Sequence, residues 1–185
     1  MNIEDMIVEL SNDPFNPELN FKCAMEYERL NQTASAVSFY LRTAEYGNGL
    51  PAYNSLLKMA RCFEDQSGRE HSVTNCILQA ISVDDSIPDG WFMLAQWHER
   101  KGNWQEAYTF ACVGLEWANI NTITLEANVG YLGRYCLEFE KAVSAWWIGR
   151  KDESYEIFTR IYKEETTEEY KAAIKNNLER IGASI

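Results

Sequence analysis

The chain has 185 residues, 46% hydrophobic and 24% charged, with ten glycines and four prolines; this balance excludes a disordered or collagen-like chain and favours helices joined by short loops. Seventeen Lys and Arg against 28 Asp and Glu leave a net charge of −11, a field that repels phosphate backbones and anionic headgroups, so nucleic acid and membrane are excluded as partners. The cysteines, Cys23, Cys62, Cys76, Cys112 and Cys136, are odd in number and show no Cys-x-x-Cys, which fits a reducing cytoplasm and buried thiols rather than a disulfide framework or a zinc site.

The first twenty residues carry five acids and no Lys or Arg, the opposite of a signal peptide's basic start. No apolar run approaches the ~20 residues of a membrane-spanning helix. Ile3, Met6, Ile7 and Leu10 predict a short amphipathic helix before Asp13-Pro14 that covers the first repeat. Two stripes come next, Asn20, Cys23, Ala24 and Tyr27, then Ala36, Tyr40, Thr43 and Ala44, joined through Asn31-Gln32-Thr33. Leu56, Met59, Ala60 and Phe63 turn at Gln66-Ser67-Gly68 into Val73, Ile77, Ala80 and Ile81. The clearest pair has Trp91, Leu94, Ala95 and His98 on one helix face and Trp104, Ala107, Ala111 and Leu115 on the next. Gly102 ends the first of these helices, because glycine takes the left-handed conformation that a Cβ resists. Thr122, Thr124, Gly130 and Gly133 interrupt any helical period and predict an insertion over 120–135. A last pair uses Ala142, Ala145, Gly149, Ser154, Phe158 and Ile161. Thr166 or Thr167 then caps a final helix carrying Tyr170, Ala173, Ile174, Asn177, Leu178 and Ile181, with Lys171, Lys175 and Arg180 on its solvated side.

The third pair reads large aromatic, Leu, small residue, aromatic, then Gly-Asn-Trp-x-Glu-Ala, and resembles the tetratricopeptide repeat. The equivalent places Ala36, Val73, Ala107 and Ser154 follow one another at 37, 34 and 47 residues. Ala95, Ala107 and Gly114 let paired backbones approach while Trp91, Leu94 and Trp104 fill the space between hairpins. Asn20 and Glu138 depart from the aromatic that the family prefers at their places. The resemblance implies an all-α fold: a right-handed superhelical array of about four helical hairpins, with an N-terminal helix and a C-terminal capping helix. It implies one domain over 1–185, made of an N-terminal helix and linker (1–16), repeats at 17–47, 50–85, 88–119 and 136–164, the 120–135 insertion, and a capping helix at 166–182.

No phosphate loop, nucleophile elbow or His-Glu-x-x-His is present, and His71 and His98 are too separated for a metal site. Neither a catalytic residue, a metal site nor a cofactor is expected; carboxylates on short helices read as solvated faces, and His98 as a packing residue. The resemblance implies that first helices line a concave groove. The places facing it are Phe21 and Met25, Leu57 and Arg61, Phe92 and Gln96, and Phe139 and Val143. One turn on, Glu28, Glu64 and Glu99 form an acidic rail that Trp146 interrupts. An apolar row beside such a rail suits a protein or peptide carrying apolar anchors and Lys or Arg. The alternative is that tight packing or the insertion covers the phenylalanines and that the glutamates are merely solvated.

The adjacent Trp146 and Trp147 must point about 100° apart on a helix, which leaves one of them partly exposed. Function therefore divides between a non-catalytic scaffold that binds a partner peptide or protein in its groove and an accessory module of a glycan-modifying system that contacts carbohydrate. Residues 138–147 and the insertion are similar to repeat modules that accompany glycosyltransferases in bacterial and viral proteins, which is what motivates the second reading. An exposed terminal hairpin would provide a surface for homo-oligomers.

Overall fold

A computed structural model describes residues 2–122, 126–164 and 166–182; Thr124 of the predicted insertion lies outside the described residues. Among these are ten helices and no strand: α1 (Ile3–Leu10), α2 (Pro17–Arg29), α3 (Thr33–Tyr46), α4 (Gly49–Glu64), α5 (Glu70–Val83), α6 (Pro88–Arg100), α7 (Trp104–Trp117), α8 (Arg134–Trp147), α9 (Lys151–Ile161) and α10 (Glu168–Gly182). None of the ten is long and apolar enough to cross a membrane. By their contacts the described residues fall into two compact units, one holding α1–α5 with residues 126–128, the other α6–α10 with residues 86–122, 129–164 and 166–182.

Local chemistry starts and stops the helices. Asn2 and Asn16 cap α1 and α2 by accepting from the amides of Asp5 at 2.8 Å and Leu19 at 3.0 Å. Pro17 and Pro88 open α2 and α6, where a missing amide hydrogen costs nothing. The turns between paired helices share one backbone solution. Asn31, Gly68, Gly102 and Gly149 all have positive φ. At three of these turns the next amide reaches back to a carbonyl in the preceding helix: Gln32 to Tyr27 at 2.8 Å, Asn103 to His98 at 2.9 Å and Arg150 to Ala145 at 2.8 Å. This is the Schellman arrangement, which satisfies carbonyls that the helix end would otherwise leave bare.

In the first unit α2 packs on α3, α3 on α4 and α4 on α5. Met6 and Leu10 of α1 are buried against Leu19 and Cys23, so the N-terminal helix covers α2. Asn20 is also buried; its side-chain amide donates to the carbonyls of Pro14 at 3.0 Å and Asn16 at 2.8 Å. The nitrogen of a residue that departs from the repeat pattern is thereby satisfied locally, while its buried Oδ1 has no hydrogen-bond partner. Thr43 of α3 donates to the Pro17 carbonyl of α2 at 3.1 Å.

In the second unit α6 pairs with α7 and α8 with α9, while α10 lies on α9. Ala95, Ala107 and Ala111 have no exposed surface, and a Cβ added at Gly114 would lie 2.6 Å from that of Trp91. Small residues therefore set the α6–α7 distance, as their spacing predicts. In the α8–α9 pair, Ser154 occupies the equivalent small place and donates to the Ala142 carbonyl at 2.7 Å, fully buried. Ser154→Ala is expected to lower stability by about 1 kcal/mol, the usual net value of one such bond, measured as a shift in the urea midpoint. Ile157, Phe158, Ile161, Ile174 and Ile181 form a core in which α10 closes the unit.

The described part of the insertion is packed rather than loose. Ala127 is buried in the first unit, and Val129 and Tyr131 in the second. The Tyr131 hydroxyl donates to the Ile120 carbonyl at 2.6 Å. All five cysteines are free, four buried and Cys112 half-buried. Burial raises the thiols of Cys23 and Cys136 and pushes those of Cys62 and Cys76 up to about 11.

Candidate functional site

The six candidate residues of the first unit do not form an open row. Leu57 has no exposed surface, because α4 is flanked by α3 and α5 and buries a face wider than a single stripe. Phe21 is half-buried, its ring edge-on to Tyr40 at 5.6 Å, and lines a cleft of about 240 Å³ with Lys22, Pro51 and Glu126. Met25 is 44% exposed. The acids of the rail are engaged within the chain. Glu28 accepts from the Tyr40 hydroxyl and pairs with Lys58 at 3.2 Å; Arg61 and Glu64 pair with each other at 3.2 Å.

In the second unit Phe92 is 1% exposed, with the Tyr131 ring 5.8 Å from its own. The insertion thus covers this phenylalanine, and both Leu57 and Phe92 are removed from any binding surface. Four other candidates converge. Glu99 at the end of α6, with Phe139, Val143 and Trp146 of α8, lines one cleft of about 350 Å³. Trp104, Trp147, Phe158, Asn177, Arg180 and Ile181 complete its wall. Trp104 and Trp147 are stacked, 5.0 Å between centroids and 15° between planes, and Trp147 is 60% exposed. The adjacent tryptophans do diverge: Trp146 is half-buried and has the Lys151 ammonium 4.7 Å from its ring.

Two carboxylates of α8 overturn the expectation of solvated faces. Glu138 is 2% exposed and held between Arg134 at 2.6 Å and Arg160 at 3.0 Å, which compensate the buried charge. Glu140 is also buried. Desolvation, reinforced by the nearby charge of Glu99, pushes its pKa up to about 8, while a hydrogen bond from the Gln96 side chain and the charge of Arg100 act the other way. Burial likewise raises Glu99, offset by Arg100. Gln96 therefore serves this buried carboxylate. His98 is half-buried with its ring 5.2 Å from Phe110, and desolvation lowers its pKa, in keeping with a packing residue. Among the described residues no group of three or more His, Cys, Asp or Glu is placed to hold a metal ion.

A further aromatic and charged cluster lies on α7–α9. The Arg150 guanidinium sits 4.8 Å over the Tyr108 ring, donates to its hydroxyl at 3.0 Å, and lies 3.5 Å from Glu153. Lys141 pairs with the same carboxylate at 2.8 Å.

No protein-family model matches the chain, and no curated protein matches it. Solved structures do. Two crystal structures of MamA superpose with TM-scores of 0.63 and 0.62 at 14% and 13% identity, covering 85% and 89% of this chain and 82% and 86% of theirs. TTC0263, a thermophilic TPR protein of Thermus thermophilus, superposes with a TM-score of 0.60 at 14% identity, over 95% of this chain and 88% of its own. At such identities the likeness speaks for architecture: the fold is an all-α helical-repeat array of the tetratricopeptide type. None of these three supports the resemblance to glycosyltransferase-associated modules.

Proposed function

We propose that the chain is a non-catalytic protein-interaction scaffold and that the cleft of the second unit captures a segment of its partner. The observation that carries this reading is the convergence of Glu99, Phe139, Val143 and Trp146 on one cleft whose rim holds the exposed Trp147. Tryptophan is among the side chains most enriched at binding hot spots, where partner contact desolvates it. The repeat architecture supports protein partners in general, since stacked hairpins present extended side-chain surfaces. A reducing, cytoplasmic setting belongs to the same reading, because all five thiols are free.

The test is selection of peptides from a random display library on the intact chain, followed by titration against Val143→Asp and Trp147→Ala. Both variants are expected to keep the helical circular dichroism and to bind the selected peptides at least tenfold more weakly. Failure to select any peptide, or unchanged affinity in both variants, overturns the proposal.

A further inference from the structure

Resting on that reading, we infer that the cleft of the second unit is an arginine-binding subsite, in which a guanidinium from the bound segment stacks on Trp147 and pairs with Glu99. The ligand class follows from the walls. Trp147 is 60% exposed and already stacked on Trp104 through one side, so an indole face of fixed orientation is presented to solvent. Glu99 is the carboxylate that lines the cleft. A planar cation that both stacks on an aromatic face and forks onto a carboxylate satisfies the two features together, and of the common side chains only arginine has that shape and charge.

Charge complementarity points the same way. The chain carries −11 overall, and Glu99 stands next to the buried Glu140, with Arg100 as the cation that acts on both. Because Glu140 keeps its proton near neutral pH, Glu99 is the carboxylate left to draw a positive charge into the cleft. Arg180 also lines the cleft, but it is already engaged within the chain. The same unit holds two of its own cations in this manner: Arg150 over Tyr108 with Glu153 beside it, and Lys151 over Trp146. The proposed subsite repeats the first of these arrangements, with the cation supplied from outside.

The experiment uses the full chain labelled with 15N at its tryptophan indoles, the Trp104 and Trp147 signals being assigned from single Trp→Phe variants. N-acetyl-arginine amide is titrated in, with N-acetyl-citrulline amide in matched sodium chloride as the uncharged isostere. The arginine derivative is expected to shift the Trp147 signal saturably, and the citrulline derivative to bind at least tenfold more weakly. Glu99→Gln and Trp147→Ala should each weaken the arginine derivative at least fivefold, the latter read on Trp104. Equal response to citrulline, no response to arginine, or an unchanged response in Glu99→Gln overturns the inference. Failure here while selected peptides still depend on Val143 and Trp147 removes the arginine subsite and leaves the scaffold reading standing. Loss of peptide capture altogether removes that reading itself.

Discussion

Gly114→Ala is expected to lower stability by about 2 kcal/mol, although it improves the helix propensity of α7. In an exposed helix this change would gain about 1 kcal/mol. At position 114 the new methyl would sit 2.6 Å from the Trp91 Cβ, 3.1 Å from Cγ of the same residue and 3.3 Å from a Leu137 methyl. Trp91 is buried and cannot swing aside, so α6 and α7 must part and the overpacking cost, about 1–3 kcal/mol and occasionally more, outweighs the propensity. Gly182, at the end of α10, is the control: a Cβ there meets nothing within 4 Å. Urea unfolding of Gly114→Ala and Gly182→Ala should therefore show a loss for the first and no loss for the second. A Gly114→Ala protein as stable as the parent would mean that α6 and α7 do not meet this closely.

Glu140→Gln should act in the opposite direction and depend on pH. The folded-state pKa of Glu140 is raised to about 8 from an ordinary carboxylate value of 4.5. The folded chain thus holds this proton more tightly than the unfolded one, and stability falls as pH rises from about 4.5 to 8, then levels off. At pH 7 the ionisation costs on the order of 3 kcal/mol. Glutamine keeps an acceptor for the Gln96 amide and carries no charge. The variant should match the parent near pH 4, exceed it by up to that amount at pH 7, and exceed it by somewhat more at pH 9. Urea midpoints at the three pH values decide the matter; a constant difference, or a less stable variant at pH 7, would show that Glu140 is not a desolvated carboxylate.

The parts of the fold that were legible in the sequence are those where a residue's size or backbone freedom has one use. Gly102 ends α6, and Ala95, Ala107 and Gly114 mark the line along which α6 and α7 touch. Such signals act between neighbours in the chain, so periodicity exposes them. The binding face was only half legible. Phe92 and Phe139 stand at the same place on their helices, yet Tyr131 covers the first, while the second packs against Phe158 and Tyr170 and still lines the cleft. Which aromatic is covered depends on residues far along the chain, and a 3.6-residue period carries no record of them. The run Glu138-Phe139-Glu140 reads as two solvated acids around one apolar side chain. It is instead two buried carboxylates, one held by arginines and one by Gln96, because α8 is flanked by α6, α7 and α9. The divergence of Trp146 and Trp147, by contrast, follows from helix geometry alone and was readable in advance.

The thiols allow the opening of the molecule to be timed. A sulfur that is both occluded and held in its protonated form reacts with a maleimide or disulfide reagent chiefly during excursions in which its helix comes away. Cys23, Cys62 and Cys76 lie in one unit and Cys136 in the other. Their modification rates in native buffer would clock each unit's breathing separately, with Cys112 as the fast internal reference.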